Sequence, residues 1–464
     1  MTRRKTWSQS LAALALLLLV CPIAALRAQR AARALDPAEP PQATPAPKAG
    51  PRPAGAISRR DVDEAGMRAL IEQLAACGTR NSLASWTDPH RGPGCARDHI
   101  VTRLNEIAKN SGGRLQVVVD KFDTSSARTS GKPVPMENVY GILPGSDPML
   151  SKTLFIISGH FDSRASDVMN PNLDAPGADD DASGVAASME CARLLSRVSP
   201  NGPAKNRATL LFAAVSGEEQ GLLGAERLLV WARQRGYTVG GMLDNDIVGA
   251  DSAPGAPHRV RLFSGPGDQD DADSPSRELA RAIEEIAGRD AVRLIFSLDR
   301  LGRGGDHRPF YLAGLPAVRF TEPLEDYRHQ HQTPRTENGV EYGDHIKYLN
   351  LEFAGNVARA NAEALRQLAL APAVPAGVKL SGGITPDAKI AWTAVDDPDR
   401  AGFEILWRET TDPRWRVFDF VTTAGETALK NVSTDNHFFA VRSVGKNGAR
   451  SITVAASAPR TPPF

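Results

Sequence analysis

The feature that most constrains the fold of this chain is a series of short apolar segments that alternate with amphipathic ones. Residues 153–158 (TLFIIS) and 209–215 (TLLFAAV) are apolar on both faces, whereas 185–195 and 225–235 have the spacing of amphipathic helices. Strands without polar alternation are typical of parallel sheets that are covered on both faces. The sequence therefore predicts an α/β fold, a mostly parallel mixed sheet sandwiched by helices.

Other segments extend this pattern. Further strands are predicted at 114–122, 138–143, 242–248, 260–263 and 317–320, and further helices near 67–74, 100–107, 274–287 and 346–368. Beyond residue 371, two prolines precede short segments of alternating polarity, which predict a small antiparallel β-sandwich resembling a fibronectin type III domain. Its core aromatic side chains should be Trp392, Trp407 and Phe439.

The N-terminus has the pattern of a targeting segment. Basic residues at positions 3–5 precede an apolar run, 11–25, that is short for a membrane span and is followed by small residues. We predict a signal peptide at 1–28, a Pro/Ala-rich linker at 29–58, a catalytic domain at 59–371 and the β-sandwich at 372–464. Cleavage of the signal would make the protein secreted or periplasmic, and membrane attachment is expected only if the signal stays uncleaved.

Cysteine use and net charge narrow the possible partners. Cys77 and Cys95 lie in a loop-rich stretch, where an oxidising compartment would favour a disulfide; the alternative is two buried free thiols. Cys191 is expected to be a packed thiol on a helix. The 55 basic and 54 acidic residues give a net charge of +1, which offers no electrostatic basis for binding nucleic acid.

Side chains that can bind metal follow several predicted strands. In chain order they are His160 with Asp162, Asp180 within an aspartate triplet, the pair Glu218 and Glu219, Asp246, and the late histidines His329 and His331. Each alone has an ordinary explanation, such as a surface histidine or an acidic helix start. Because ligands bind beyond the carboxyl ends of strands in open α/β sheets, the ordered set indicates a single site.

The ordered motifs resemble metallopeptidase family twenty-eight over residues 61–370: His-x-Asp, Gly-Ala-x-Asp-Asp-x-Ser-Gly, Glu-Glu, Asp-Ile-Val-Gly and a late histidine. The family includes bacterial leucine aminopeptidases, glutamate carboxypeptidases and, as a divergent one-zinc branch, glutaminyl cyclases. The resemblance implies two Zn²⁺ ions. One would be held by His160 and Asp246, the other by Glu219 and a late histidine, with Asp180 bridging them.

The resemblance also implies roles for the neighbours of these ligands. Asp162 would orient His160, Glu218 would be the general base, and the peptide bond after Asp180 would be cis. His331 is favoured over His329 as the late ligand because its distance to the threonine at position 336 fits the family pattern, although an arginine at 335 replaces the usual aspartate.

The predicted function is that of a secreted zinc aminopeptidase that cleaves peptides with a free N-terminus. Arg303, Arg308 and Arg319 lie near the predicted site in sequence and could instead recognise a carboxylate, as a carboxypeptidase would require. The segment Gly305-Asp306-His307 is expected either to support the metal ligands from behind or to form part of the substrate wall, without binding metal. A glutaminyl cyclase-like acyltransferase is a further alternative, and the presence of Glu218 argues against a non-enzymatic binding protein.

Overall fold

The computed structural model describes residues 50–51, 53, 56–199, 202–203, 206–251, 258–267, 273–381 and 385–457. The predicted signal peptide and most of the predicted linker lie outside the described residues. None of the helices in the described ranges combines the length and the apolar character needed to span a membrane.

The larger unit is built on an eight-stranded mixed sheet with helices on both faces. Its strands are β1 (Gln116–Thr124), β2 (Val134–Leu143), β3 (Thr153–His160), β4 (Thr209–Val215), β5 (Thr238–Asn245), β6 (Val260–Ser264), β7 (Val292–Ile295) and β8 (Ala317–Thr321). The helices are α1 (Glu64–Ala76), α2 (Pro93–Lys109), α3 (Ala182–Ser196), α4 (Leu223–Gln234), α5 (Pro275–Ala287), α6 (Arg308–Leu312) and α7 (Leu351–Leu370).

The strand order is β1-β2-β4-β3-β5-β8-β6-β7. The central strands β4, β3, β5 and β8 run parallel to one another, while β1, β2 and β6 supply the antiparallel pairings. The predicted α/β class is therefore confirmed. The sequence missed β7 and the short helix α6.

The two faces of β3 show why its apolar run is continuous. Phe155 and Ile157 pack into the core that α1, α2, α3, α5 and α7 cover, whereas Leu154 and Ile156 pack into a second core beneath α4 and α6. Successive side chains of a strand point to opposite faces, so a strand covered on both sides needs apolar residues at every position.

A disulfide joins the first two helices. Cys77 caps the C-terminus of α1 and is bonded to Cys95 in the first turn of α2, which confirms the predicted pairing. Cys191 is a buried free thiol on α3, also as predicted.

The chain after α7 folds into two antiparallel sheets. Its strands are β11 (Ala376–Ser381), β12 (Ala388–Thr393), β13 (Arg400–Glu409), β14 (Arg416–Val421), β15 (Gly425–Leu429), β16 (His437–Gly445) and β17 (Val454–Ala455). The strands β9 (Arg335–Glu337) and β10 (Val340–Tyr342) form a hairpin that precedes α7 and belongs to the larger unit. The sheets have the orders β11-β12-β15 and β14-β13-β16-β17. Trp392, Trp407 and Phe439 are buried between them, as predicted. The fibronectin type III resemblance itself stays a prediction.

Paired charges fix the sandwich against α5. Arg414 makes two hydrogen bonds to Glu284, at 2.7 and 2.8 Å, and the buried Arg442 bridges Glu285 of the helix and Glu404 of the sandwich. A cluster of matched, largely buried ion pairs holds a defined geometry. The sandwich is thus docked against α5 by ion pairs.

Candidate metal centre

The register of the central strands brings three of the predicted motifs together. His160 is the last residue of β3 and pairs with Val215, the last residue of β4. On the other side of β3, Ser158 pairs with Asp244 near the end of β5. The residues that follow these three parallel strands therefore meet at one edge of the sheet, where ligands are expected in this architecture.

Two groups of potential metal ligands share one aspartate. His160 Nε2 lies 3.2 Å from Asp180 Oδ1 and 3.9 Å from Asp246 Oδ2. His331 Nε2 lies 2.9 Å from Asp180 Oδ2 and 3.1 Å from Glu219 Oε1. Each group has three ligand atoms within 4.8 Å of one another. The two oxygens of Asp180 thus face different groups, which is the arrangement that a carboxylate bridging two ions requires.

The remaining members of the aspartate triplet hold the backbone instead of facing the ligands. Asp181 caps α3 by accepting from the Gly184 amide at 2.9 Å and also accepts from the His160 amide at 2.9 Å. Asp179 accepts from the Gly249 amide at 2.7 Å. The peptide bond between Asp180 and Asp181 is cis, as the family resemblance implies. One acidic triplet therefore combines a candidate metal ligand in the middle with anchoring residues on either side.

Asp162 acts on the glutamate pair more directly than the sequence suggested. Its carboxylate accepts from the backbone amides of Glu218 and Glu219 at 3.2 and 3.1 Å. His160 Nδ1 lies 3.1 Å from the Asp162 carbonyl oxygen and 3.6 Å from the carboxylate. Asp162 therefore fixes the ring through its carbonyl and fixes the turn that carries the glutamates through its carboxylate.

Glu218 lies beside the two ligand groups in the same cavity. Removal from water, with the charge of Glu219 added, raises the pKa of the Glu218 carboxyl well above its ordinary value. Dications nearby would act in the opposite direction. A carboxyl group whose ionisation depends on its neighbours in this way is suited to accepting and returning a proton.

The two late histidines have different surroundings. His331 is at the centre of the second ligand group, whereas the ring of His329 stacks on Tyr348 with centroids 3.7 Å apart. His331 has a φ of 54°, in the left-handed region that few non-glycine residues adopt. The geometry agrees with the choice of His331.

Buried groups that the sequence analysis did not single out support this edge of the sheet. The fully buried Arg80 donates to the carbonyl oxygens of Phe161 and Gly177, at 2.6 and 2.8 Å, and so ties β3 to the loop before the aspartate triplet. Asp344 accepts from the amides of Asp179 and Asp180 at 2.8 to 2.9 Å. Neither has a local sequence signature, because the groups that they bind come from distant parts of the chain.

The segment Gly305-Asp306-His307 is buried behind the site. His307 Nδ1 lies 3.0 Å from Asp244 Oδ2, and its Nε2 lies 3.0 Å from the Leu298 carbonyl oxygen. Neither Asp306 nor His307 lines the cavity, so the predicted role as a substrate wall is not met, whereas the alternative role behind the ligands fits the contact of His307 with Asp244. His307 supports the end of β5 through its contact with Asp244.

The cavity in front of the ligand groups has a volume of about 210 Å³ and contains many arginines. Its lining includes Arg128, Arg164, Arg300, Arg303 and Arg319 beside Asp180, Glu218, Glu219 and Asp246. Arg308, the third of the arginines noted in the sequence, is exposed and lies outside this lining. A second cavity of about 370 Å³ adjoins Asp180 and is acidic, with Asp179, Glu322 and Asp344 in its wall.

The donor atoms present suit zinc. Imidazole nitrogens and carboxylate oxygens are its usual ligands, and each group here leaves a coordination position open. Glu219 Oε1 is buried and makes no hydrogen bond, although it lies 3.1 Å from His331 Nε2. Burial lowers the pKa of His331, but the carboxylates of Glu219 and Asp180 outweigh it and raise that pKa to about 10. The same negative charge would favour a dication in place of the proton.

Sheet topology, histidine–carboxylate ligand groups and an adjacent glutamate together define a zinc hydrolase. The chain belongs to peptidase family M28, whose family model matches residues 138–364. It is 38% identical over 416 residues to a protein of Leptosphaeria maculans named as a probable zinc metalloprotease, covering 85% of this chain and 94% of that protein. A protein of the same name from Pyrenophora tritici-repentis is 38% identical over 432 residues, covering 87% of each chain.

A solved structure shares the fold. The crystal structure of the LapA aminopeptidase of Legionella pneumophila aligns with a TM-score of 0.51 and 18% identity, covering 68% of this chain and 73% of that one. The protein is therefore a zinc metallopeptidase of family M28 with an aminopeptidase-like fold, and its substrates are peptides.

Proposed function

We propose that the protein is an exported two-zinc aminopeptidase in which Glu218 is the general base. The observation that carries the two-zinc assignment is the position of Asp180, whose two oxygens face separate ligand groups at 3.2 Å from His160 and 2.9 Å from His331. A one-zinc glutaminyl cyclase would not require both groups, so this geometry favours a hydrolase.

The chemistry follows from the positions of the chain's own side chains. Bound zinc supplies Lewis acidity, which polarises the scissile carbonyl and makes a water molecule more acidic. Glu218 takes a proton from that water molecule while the water oxygen attacks the carbonyl carbon. It then delivers the proton to the departing amine as the C–N bond breaks. Asp162 holds the Glu218 and Glu219 amides and thereby keeps the base at a fixed distance from the ligands.

The choice of the amino terminus is supported by the acidic cavity that adjoins Asp180. Its wall includes the carboxyl groups of Asp179, Glu322 and Asp344; burial raises their pKa values to about 8, 11 and 7, and an ammonium group placed beside them would favour their charged forms. The arginines of the metal cavity favour a second candidate, a carboxypeptidase, because guanidinium groups bind carboxylates. The predicted signal peptide and the Cys77–Cys95 disulfide support export, since disulfides persist in oxidising compartments.

A cleavage panel tests this proposal. Free, N-acetylated and C-amidated forms of one peptide are incubated with the zinc-loaded protein, with the chelated protein and with Glu218→Gln. We expect zinc-dependent release of the N-terminal residue from the free and amidated forms, with Glu218→Gln about 100- to 10,000-fold slower. Cleavage of the acetylated form, with or without the others, would refute the aminopeptidase assignment, and full activity of Glu218→Gln would refute the mechanism.

The metal count is tested separately. Mass spectrometry of the native zinc-loaded protein should give two zinc ions per chain. A single ion at saturation would contradict the bridging role of Asp180 and would favour the cyclase alternative.

A further inference from the structure

The basic lining of the metal cavity is larger than its acidic groups account for. The four carboxylates that line the cavity are Asp180, Glu219 and Asp246, which face the ligand groups, and the proposed base Glu218. With metal bound, the three ligand carboxylates would be neutralised by the ions, and only Glu218 of this set would remain. The positive charge of the cavity's arginines would then be balanced by side chains outside this set or by the substrate.

Two of the five arginines are neutralised by the protein. Arg319 is buried and bonds to Asp246 at 2.8 Å and to Asp299 at 3.2 Å. Arg300 pairs with Asp299 at 3.0 Å and with Glu325 at 2.5 Å. Arg319 was one of three arginines predicted to be available for a substrate terminus, but its guanidinium is paired with the candidate ligand Asp246.

Among the described residues, the other three arginines have no carboxylate partner closer than 4.0 Å. Arg128 donates to the Glu219 carbonyl oxygen at 2.6 Å, and Arg164 donates to the carbonyl oxygens of Ala165 and Ser166, both at 3.1 Å. The Arg164 Nε is 4.0 Å from Glu219 Oε2, at the limit of an ion pair. Among the described residues, the half-buried guanidinium of Arg303 has neither a hydrogen-bond nor an ion-pair partner.

The loop that carries Arg303 is fixed against the site. Arg319 donates to the carbonyl oxygen of Gly304, so the residue that holds Asp246 also holds this loop. The backbone of Gly305 packs closely against its neighbours, because a Cβ there would lie 2.6 Å from Arg319 Nη1 and 2.7 Å from Asp244 Oδ2. The backbone that carries Arg303 is therefore fixed beside the cavity, and a ligand would have to order only the Arg303 side chain.

We propose that Arg303, with Arg164 and Arg128 beside it, binds a carboxylate that the peptide carries next to the scissile bond. This inference rests on the proposed peptidase function and specifies its substrate class. The cavity of about 210 Å³ is small, so the carboxylate must belong to a residue that adjoins the cleaved bond. Two sources share this chemistry, the α-carboxylate of a dipeptide and the side chain of Asp or Glu. A guanidinium binds either through two parallel hydrogen bonds.

Matched peptides distinguish the two sources. Ala-Ala is compared with Ala-Ala amide, and the amides of Ala-Glu and Glu-Ala are compared with those of Ala-Gln and Gln-Ala. Hydrolysis is measured with the zinc-loaded protein, and binding is measured by calorimetry with the zinc-loaded Glu218→Gln variant, which is not expected to turn the peptides over. We expect the carboxylate-bearing member of at least one pair to be favoured about 10- to 100-fold, as a charge-assisted pair provides.

Arginine variants assign that preference. Arg303→Gln should abolish it, so that the charged and neutral members of each pair become equal when both are measured with this variant, while Arg303→Lys, which keeps the charge without the planar fork, should retain part of it. Arg308→Gln is the matched control, because Arg308 is exposed and lies outside the cavity lining. Loss of preference for Ala-Ala identifies the α-carboxylate, and loss for a Glu peptide identifies the side chain.

The outcomes also separate this inference from the proposed function. Equal hydrolysis and equal binding of charged and neutral peptides would overturn the inference while the peptidase assignment stands. An unchanged preference in Arg303→Gln would likewise overturn it. Binding that depends on Arg303 without any hydrolysis would support the inference and overturn the peptidase assignment.

Discussion

The substitution Asp162→Asn tests how the site is held together. Each oxygen of the Asp162 carboxylate accepts one backbone amide, from Glu218 at 3.2 Å and from Glu219 at 3.1 Å. Asparagine keeps one acceptor oxygen and places an NH₂ group against the other amide, so one hydrogen bond to a charged group is lost. Such a bond contributes about 1.5–3 kcal/mol, which corresponds to about 10- to 150-fold in an equilibrium constant.

The structure also predicts where that loss will be measured. Glu219 is a ligand candidate of the second group, and Asp162 touches the ring of His160 in the first. Replacing a residue that orients metal ligands weakens metal binding by about 10- to 100-fold, which agrees with the hydrogen-bond value. We therefore expect zinc affinity to fall about 30-fold, the middle of that range, and kcat to fall as well when excess zinc restores occupancy.

Competition against a chromophoric chelator gives the affinity, and hydrolysis at saturating zinc gives kcat. Asp120→Asn is the matched control, because Asp120 accepts from the Arg227 side chain at 2.8 Å on the edge strand β1. It should change zinc affinity by less than twofold. Zinc affinity of Asp162→Asn within twofold of the wild type would refute the supporting role derived for this carboxylate.

Three further predictions concern the late ligand, the disulfide and the sandwich. His331→Ala should lose one zinc per chain by mass spectrometry, whereas His329→Ala should retain both, and the reverse result would reassign the ligand. Replacing Cys77 and Cys95 together by serine opens a loop of sequence separation 18 and should lower the free energy of unfolding by about 3 kcal/mol in urea titrations. If the reduced wild-type protein is as stable as the oxidised one, the disulfide does not stabilise the fold. Arg442→Met removes one of the two arginines that pair with the buried Glu404 and should lower the free energy of unfolding by about 1.5–3 kcal/mol with KM unchanged, and a raised KM would show that the sandwich acts on the site.

Zinc binding should also depend on pH through the histidines. The carboxylates of Glu219 and Asp180 outweigh burial and raise the pKa of His331 to about 10, so below that pH the metal-free imidazole holds a proton that zinc must displace. Zinc affinity should therefore rise as pH increases from 6 to 8. Calorimetry in two buffers of different ionisation enthalpy should detect proton release, and identical heats in both buffers would contradict this sign.

Local sequence patterns predicted the elements near the site well. The strand at 209–215 has the predicted bounds, and β3 starts where predicted at Thr153. Such segments are predictable because a strand covered on both faces must be apolar throughout. The short strand β7 was missed, because four residues at the sheet edge with partly exposed side chains carry little signal.

The sequence by itself determined which chemistry the chain can carry. The sequence motifs contain the candidate ligands in a recognisable order: His160, Asp180, Glu219, Asp246 and a late histidine. Several of these motifs follow predicted strands, and parallel strands bring their carboxyl ends to one edge of a sheet whatever the details of packing. The aspartate triplet and the glutamate pair were thus identifiable as candidate ligands before any coordinates.

Only the tertiary structure decided which charges are available to a substrate. The sequence does not distinguish Arg303, Arg308 and Arg319. In the structure, Arg303 lines the cavity without a side-chain partner among the described residues, Arg308 is exposed outside the cavity, and Arg319 is buried against Asp246. Arg80 came to notice only because the carbonyl oxygens that it binds are brought to it from distant segments. Pairing of a charge depends on distances between residues far apart in the chain, and these distances are set by packing, which no local pattern encodes.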